Sequence, residues 1–319
     1  MTQTHNDFDV VIVGGGAAGL SAALVLTRAR RSVLVVDSGA PRNAPAAHMH
    51  GFLSRDGLPP SELLETGRAE VRRYGGRFVR GQVVDATRCD ANQLRLWTQA
   101  GEAFTARRVL VTTGLVDELP DVRGLQERWA RDVLHCPYCH GWEVRDQRLG
   151  VITDGSAEHV RYTQIVRQWA DDVVLFCPPG TLTHDQRQEL LARAIGVVEG
   201  TVAHVVIDAD DRLSGVATDD GRQVARDAVF VPPRFVPNSA LLTALSCDTD
   251  SEGWPLTTGP GRTSVPEVYV AGNVTNPRAQ VITAAGEGSA AAIAINADLV
   301  DHDVQLAIRE FDEPALPTP

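Results

Sequence analysis

Hydrophobic residues follow a strand–helix–strand order that occurs twice along the chain. The first copy begins with the continuous apolar run Asp9–Val13, which is typical of a parallel strand buried on both faces. Apolar and small side chains then recur at helical spacing from Leu20 to Thr27, and a second apolar run, Ser32–Val36, ends at Asp37. This pattern predicts a complete βαβ unit at the start of the chain.

The second copy begins at Leu149–Ile152. Its predicted helix carries Tyr162 and Trp169 at the two ends of an apolar face, and its second strand is Asp172–Phe176. Two βαβ units of this kind predict an α/β protein with two Rossmann-like, three-layer nucleotide-binding domains.

The turn of the first unit carries a dinucleotide-binding glycine pattern. Gly14 permits the tight turn, Gly16 lets a pyrophosphate approach the backbone, and Gly19 lets the helix pack closely on the strand. The helix N-terminus adds amide donors and a positive dipole end. Asp37 follows Gly19 by 18 residues, which suits an acceptor for a ribose hydroxyl. The candidate cofactor contacts in this unit are Gly14, Gly16, Ala17, Ala18, Gly19 and Asp37.

Composition narrows the class of protein. At 319 residues the chain is long enough for two domains, and its apolar fraction of 43% is that of an ordinary globular protein. A net charge of -11 and a pI near 5.3 argue against nucleic acid or an anionic membrane as a partner. We find no pattern of a signal peptide and no run of 18 apolar residues, so we expect a cytoplasmic protein.

Of five cysteines, only Cys136 and Cys139 have a spacing that suggests chemistry, because two thiols separated by two residues can form a reversible disulfide. With His140 the tetrad also matches a haem-attachment pattern, but no export signal supports that interpretation. A zinc site that uses His135 as well is sterically awkward from one short turn. We therefore predict no metal.

The order of these motifs resembles the low-molecular-weight thioredoxin reductases, which are FAD-dependent pyridine nucleotide–disulfide oxidoreductases. The likeness covers nearly the whole chain and implies a discontinuous FAD-binding domain, 1–115 with 240–319, around a smaller CxxC-bearing domain, 116–239. It also implies a homodimer. Other motifs of this family also occur here, outside the first loop and the CxxC. They imply further FAD contacts at Thr113, Gly114, Gly272, Asn273, Gln280 and Val281.

Three positions depart from the reductase pattern. The second nucleotide loop reads Thr153–Glu158, with two acidic residues and without the reductases' glycine pattern. Cys177–Gly180 stands where reductases have basic residues for the 2′-phosphate of NADPH, and a phosphate without Arg or Lys partners is bound poorly. His140 stands where reductases have Asp.

The segment Cys136–Glu143 is similar to the dithiol oxidases of holomycin and gliotoxin biosynthesis. That resemblance implies an FAD-dependent enzyme that closes a disulfide in a small-molecule dithiol and passes the electrons to O2, which gives H2O2. It places Cys139 against the flavin and Cys136 toward the substrate. His140 is the natural base, since its intrinsic pKa lies where proton transfer is easy in both directions.

Three alternatives stay open. Glu143 either orients His140 or is a surface carboxylate, and the loop residues His48 and His50 either contact flavin or substrate or have no chemical role. A thioredoxin reductase-like enzyme that uses NADPH or a protein donor such as ferredoxin is the alternative activity. A flavoprotein that senses redox state without turnover is disfavoured by the intact CxxC-His.

Overall fold

The computed structural model describes residues 6–90 and 92–312, which form two compact units. The first takes in Pro59–Val116 and the described parts of Met1–Ala44 and Val236–Pro319, and the second takes in Pro45–Leu58 and Asp117–Phe235. The loop Pro45–Leu58 is therefore compact with the second unit, although sequence boundaries alone leave it in the first. The domain boundaries predicted from the sequence, with residues 116–239 as the smaller domain, remain a proposal.

Helices and strands alternate through much of the described chain. The helices are α1 (Ala17–Arg28), α2 (Pro60–Arg73), α3 (Pro137–His140), α4 (Ala157–Val166), α5 (His184–Ala192), α6 (Ala240–Ala244) and α7 (Val281–Asp312), with a 3-10 turn at Gly272–Val274. The strands are β1 (Asp7–Val13), β2 (Val33–Asp37), β3 (Arg77–Arg80), β4 (Val83–Asp90), β5 (Gln93–Thr98), β6 (Ala103–Val111), β7 (Leu115–Glu118), β8 (Val133–Leu134), β9 (Leu149–Ile152), β10 (Val173–Cys177), β11 (Gly196–Glu199), β12 (Val202–Ile207), β13 (Leu213–Thr218), β14 (Gln223–Ala225), β15 (Ala228–Phe230), β16 (Arg234–Pro237) and β17 (Val268–Val270).

The first unit is built on a seven-stranded sheet of order β3-β2-β1-β6-β5-β4, with β17 also paired to β6. Strands β1, β2, β3, β6 and β17 run parallel, whereas β4 and β5 are antiparallel additions. Along β1, Val10 and Ile12 face a core shared with α1 and α7, and Val11 and Val13 face the core on the other side. Burial on both faces explains the unbroken apolar run in the sequence.

The second unit repeats this plan on a five-stranded parallel sheet of order β11-β10-β9-β15-β8. Apolar side chains of α4 and α5, among them Val160 and Leu190, cover one face. The other face packs against the antiparallel sheet β12-β13-β14 through residues such as Val205 and Val216. Strands β7 and β16 form a separate two-stranded sheet.

Helix α7 is the longest element and begins at Val281, at the start of an alanine-rich run. The bond from Ala284 N to Gln280 O, 2.8 Å, closes the first turn at Val281. None of the helices in residues 6–90 and 92–312, α7 included, has the length and apolarity needed to cross a membrane.

Helices α1 and α7 approach each other closely where both carry small residues. A Cβ at Gly288 of α7 would lie 2.0 Å from the backbone oxygen of Ala18 in α1. Neither backbone can move away, since α1 is held by the sheet and its core residues Ala22 and Ala23 are fully buried. The absence of a side chain at Gly288 therefore fixes the separation of the two helices.

We expect Gly288→Ala to destabilise the protein by about 1–3 kcal/mol, because the added methyl group overpacks a rigid contact. Gly286→Ala is the matched control: it lies on the same helix, and no atom lies within 4 Å of the position of its Cβ. The control should be neutral or slightly stabilising, since alanine is the better helix former. Denaturant unfolding of the ligand-free proteins, followed by circular dichroism, measures both. Equal stability of the two variants would contradict this account.

Candidate active site

The two cysteines of the CxxC form a disulfide within a single turn. Cys136 and Cys139 have a Cα–Cα distance of 5.2 Å, and the four-residue helix α3 begins immediately after Cys136. Cys136 O accepts hydrogen bonds from Cys139 N and His140 N, both at 3.1 Å. The backbone thus fixes the second sulfur and the following histidine relative to the first sulfur.

Packing on both sides holds this turn in place. The phenol of Tyr162 donates to His135 O on the N-terminal side, and burial raises the pKa of that phenol. On the C-terminal side, a Cβ at Gly141 would lie 2.8 Å from the Trp169 ring, which also meets the Tyr138 ring edge to face at 5.4 Å. Helix α4 and the segment after it therefore support the CxxC turn.

His140 is half-buried, and its surroundings favour the neutral imidazole. Burial lowers its pKa below the ordinary value of 6.5; the charge of Glu143 opposes this effect, and His50 adds to it. A neutral imidazole has a free lone pair and can accept a proton from a thiol. Its position one residue after Cys139 makes His140 the candidate base of the site.

His50 lies beside this site, and the sequence alone left its role open. Its Nε2 lies 3.5 Å from Glu143 Oε1, and its Nδ1 lies 3.5 Å from Asp56 Oδ2. Sequence reasoning left His50 open because 93 positions separate it from Glu143 and no local pattern links them. The only signal was the presence of histidines in an irregular loop.

The first nucleotide loop has the geometry that its glycines predict. Gly14 adopts a φ of +109°, and a Cβ there would lie 2.4 Å from Thr112 O. At Gly19 a Cβ would lie 2.0 Å from Gly14 O. Gly16 caps α1 without a side-chain hydrogen bond, and no atom lies within 4 Å of the position its Cβ would take. The space beside Gly16, at the amino end of α1, is therefore open; Ala17 and Ala18 form the first turn of that helix.

Asp37 lies at the end of β2, beside this loop. Its Oδ1 accepts a hydrogen bond from Gly15 N at 3.1 Å, and its Oδ2 lies 3.3 Å from Nη2 of Arg68 on α2. The carboxylate is therefore held by the loop itself, with a cation beside it. Sequence reasoning predicted the acid but missed Arg68, because no spacing rule connects α2 to the end of β2.

The remaining predicted cofactor contacts follow β6 and β17. Thr113 Oγ1 donates to Asn238 O at 2.7 Å, and Asn238 Nδ2 donates to Thr113 O at 2.9 Å; Gly114 follows with a φ of +71°. These reciprocal bonds hold the turn after β6. Since β1, β2, β6 and β17 are parallel neighbours, the loops at their carboxyl ends meet at one edge of the sheet.

Glu287 of α7 organises the turn after β17, and no sequence motif indicated this role. It accepts hydrogen bonds from Gly272 N at 3.0 Å and from Asn276 Nδ2 at 2.7 Å. Asn273 Nδ2 donates to the carbonyls of Asn276 and Ala279, which leaves Asn273 Oδ1 as an acceptor for a hydroxyl. Gln280 and Val281 follow at the start of α7, so this set of residues lies at its amino end.

The second nucleotide loop satisfies its own polar groups. Asp154 Oδ1 accepts from Ser156 N at 2.8 Å and lies 2.6 Å from His159 Nδ1. Burial acts to raise the pKa of Asp154, but the Ser156 hydrogen bonds and the His159 charge outweigh it, so this pKa is lowered and the group stays ionised. A Cβ at Gly155 would lie 2.1 Å from Thr181 Oγ1. A carboxylate and a packed side chain therefore occupy the amino end of α4.

The end of β10 likewise offers little to a phosphate. The guanidinium of Arg187 lies 2.6 Å from Glu199 Oε1, and Glu199 also accepts from Gly180 N at 3.0 Å. The backbone donor and the basic side chain that a phosphate would need here are both paired with Glu199.

The predicted residues thus fall into two groups. Cys136, Cys139, His140 and Glu143 lie together in the second unit, with His50 beside them. All predicted cofactor contacts lie in the first unit. Among the described residues, no cluster of three or more His, Cys, Asp or Glu side chains is arranged to hold a metal ion.

Known proteins share this architecture. The family model for pyridine nucleotide-disulphide oxidoreductases matches residues 8–288. The crystal structure of HlmI superposes with a TM-score of 0.91 and 56% sequence identity. The match covers 95% of this chain and 96% of the HlmI chain. These matches confirm the predicted α/β fold class with parallel sheets.

Two curated fungal relatives are also similar. The thioredoxin reductase sirT of Leptosphaeria maculans is 29% identical over 320 residues, which cover 95% of this chain and 98% of sirT. The thioredoxin reductase tcpT of Claviceps purpurea is 37% identical over 170 residues, which cover 52% of this chain, so the match spans about half (53%) of tcpT. The chain therefore belongs to the pyridine nucleotide-disulphide oxidoreductase family, and it is a thioredoxin reductase-like redox enzyme with FAD as its cofactor.

Proposed function

We propose that this enzyme is a dithiol oxidase that closes an intramolecular disulfide in a small-molecule dithiol and delivers the electrons to O2, forming H2O2. The observation that carries the proposal is the carboxylate of Asp154 at the amino end of α4, bonded to Ser156 N and close to His159. A pyrophosphate would meet negative charge there instead of free amide donors. This favours electrons that enter from a dithiol over electrons that enter from NADPH.

The first unit, in contrast, fits FAD. The open space beside Gly16 at the start of α1 suits a pyrophosphate, and Asp37 and Asn273 Oδ1 supply acceptors for hydroxyl groups. We assign FAD binding to these residues together with Thr113, Gly114, Gly272, Gln280 and Val281. When bound, FAD supplies the two-electron redox chemistry that connects the reduced Cys136–Cys139 pair to O2.

The protein's own residues carry the thiol chemistry. A substrate thiolate attacks Cys136 Sγ, which breaks the Cys136–Cys139 bond, forms a mixed disulfide and releases Cys139 as a thiolate. The second substrate thiol gives its proton to His140 and attacks the substrate sulfur of the mixed disulfide. Cys136 leaves as a thiolate and takes the proton from His140, and the product carries the new disulfide. Two electrons and one proton have then passed from the substrate to the enzyme, and the proton of the first substrate thiol has gone to solvent.

The surroundings of the CxxC suit a small substrate that stacks on an aromatic ring. The rings of Tyr138 and Trp142 are 64% and 65% exposed, and an exposed aromatic ring beside a reactive group offers a stacking surface. A groove of about 280 Å³ adjoins Tyr138 and continues along α4. This volume is near the lower end of small-molecule sites.

The proposal includes two further properties, the location of the enzyme in the cell and its oligomeric state. Residence in the cytoplasm rests on the sequence alone. A homodimer rests on the family resemblance and on apolar side chains exposed along α7, such as Ile293 and Val304, which would suit a second copy.

The direction of electron flow can be tested with the purified holoenzyme. We expect dithiothreitol, used as a probe dithiol, to bleach the flavin anaerobically and to yield H2O2 under air, whereas NADPH should do neither. Cys136→Ser and Cys139→Ser should each remove more than about 99% of the turnover, since neither can close the disulfide. Cys89→Ser, at an exposed free cysteine, is the control. Rapid bleaching by NADPH without peroxide from the dithiol would overturn the oxidase assignment.

The FAD site can be tested separately. We expect Gly16→Ala to weaken FAD binding about tenfold or more, because its methyl group fills the space left for the pyrophosphate. Gly81→Ala is the control, since its methyl group makes only ordinary contacts, at 3.8 Å or more from neighbouring atoms. Flavin absorbance of the purified proteins and titration of the apoproteins with FAD measure the effect. Full flavin occupancy of Gly16→Ala at low FAD would show that the pyrophosphate binds elsewhere.

The pH dependence follows from the lowered pKa of His140. The base is active when neutral, so the limb of the profile that belongs to His140 should lie below about 6.5, the ordinary histidine value, and apart from the limb of the substrate thiol, whose unperturbed pKa is about 8.5. In His140→Asn this acid limb should disappear, and the remaining turnover should be much slower. The pH profile of kcat/KM for the dithiol measures it. An unchanged acid limb in the variant would assign that limb to another group.

A further inference from the structure

The loop that carries His50 has an internal framework of its own. Met49 N donates to Leu58 O at 3.0 Å and Gly57 N donates to Met49 O at 2.9 Å, which joins the two ends of the segment. Asp56 Oδ1 accepts from Gly51 N at 2.9 Å. Met49 itself is buried. His50 therefore projects from a braced loop and not from an unsupported one.

Both ring nitrogens of His50 lie near carboxylates. Nδ1 is 3.5 Å from Asp56 Oδ2, and Nε2 is 3.5 Å from Glu143 Oε1. An imidazole ring between two carboxylates can donate an N–H to either of them, so His50 links Asp56 to Glu143. Asp56 also accepts a hydrogen bond from the backbone of Gly51. This bond has the largest effect on the Asp56 carboxyl and His50 the next largest; both lower its pKa and keep it ionised.

Glu143 contacts His50 and also acts on the base. Its charge favours the protonated His140 imidazole, whereas burial, the larger effect, and His50 both favour the neutral form. The carboxylate therefore opposes burial, and an imidazolium could not accept another proton. A group that pairs with the carboxylate limits that opposition.

We propose that His50 is a positioning residue for the proposed oxidase: anchored by Asp56, it holds the Glu143 carboxylate and balances its charge, so that His140 works as a neutral base. The role of His140 as a base depends on the proposed function. The charge balance among His50, Glu143 and His140 is a property of the resting enzyme and can be measured without turnover.

The test is a titration of His140 by NMR in the oxidised holoenzyme labelled with 13C-histidine, with the His140 signal assigned by its loss in His140→Asn. We expect His50→Ala to move the His140 midpoint upward, because Glu143 is then unbalanced and a nearby positive charge is gone. His48→Ala is the control, since His48 is exposed on the same loop two positions away, and it should leave the midpoint unchanged.

Glu143→Gln provides a second, independent arm with the opposite sign. Loss of the carboxylate should move the His140 midpoint downward, and His50→Ala should then have a smaller effect in this background than in the native one. A purely structural role of His50 would not produce this dependence on Glu143.

An unchanged or lower His140 midpoint in His50→Ala would overturn the proposal, as would an equal effect of His50→Ala with and without Glu143. Because the titration uses no substrate, the result is separate from the oxidase assay. A native enzyme that fails to oxidise dithiols would overturn the proposed function and leave the charge balance to be judged by NMR alone.

Discussion

The close backbone approach around α1 is the constraint on which the first unit depends. Gly19 lets the helix rest on the turn after β1, and Gly288 lets α7 rest on α1, in each case with only 2.0 Å between a backbone oxygen and the position of a Cβ. Gly272 extends this packing, since its Cβ would lie 2.9 Å from that of Ala18. Three separate stretches of chain are thus brought to the amino end of α1. This packing fixes the positions of the loops to which we assign FAD binding, and the parallel strands bring those loops to the same edge of the sheet.

The second unit repeats the parallel strand–helix–strand plan of the first, but side chains fill its nucleotide loop. Where the first loop leaves open space beside Gly16, the second fills the corresponding region with Thr181 and with the Asp154 carboxylate. In the second loop the polar groups pair with one another, whereas in the first loop the space at the amino end of the helix stays open. Shared topology therefore does not imply shared ligand binding. We assign the chemistry of the second unit to the CxxC turn, which α4 and Trp169 support.

The sequence was informative wherever a structural rule acts over a short stretch of chain. The buried strands and the glycine turn at Gly14 follow from local periodicity and backbone sterics. Arg68 beside Asp37, Glu287 beneath Gly272 and His50 beside Glu143 could not be predicted in this way. Each is a side-chain contact between elements that are distant in sequence. Such contacts depend on tertiary packing, which one sequence does not encode in any local pattern.

These long-range contacts also explain why a histidine can follow the CxxC. A half-buried imidazole loses its charge readily, whereas a carboxylate beside it would restore that charge. The turn contains both groups, so a partner for the carboxylate adds to the larger effect of burial in favouring the neutral form of His140. His50 reaches that carboxylate because Asp56 holds it and because Pro45–Leu58 is compact with the CxxC-bearing unit. The proposed base His140 is thus linked through Glu143 to a loop some 90 residues earlier in the sequence.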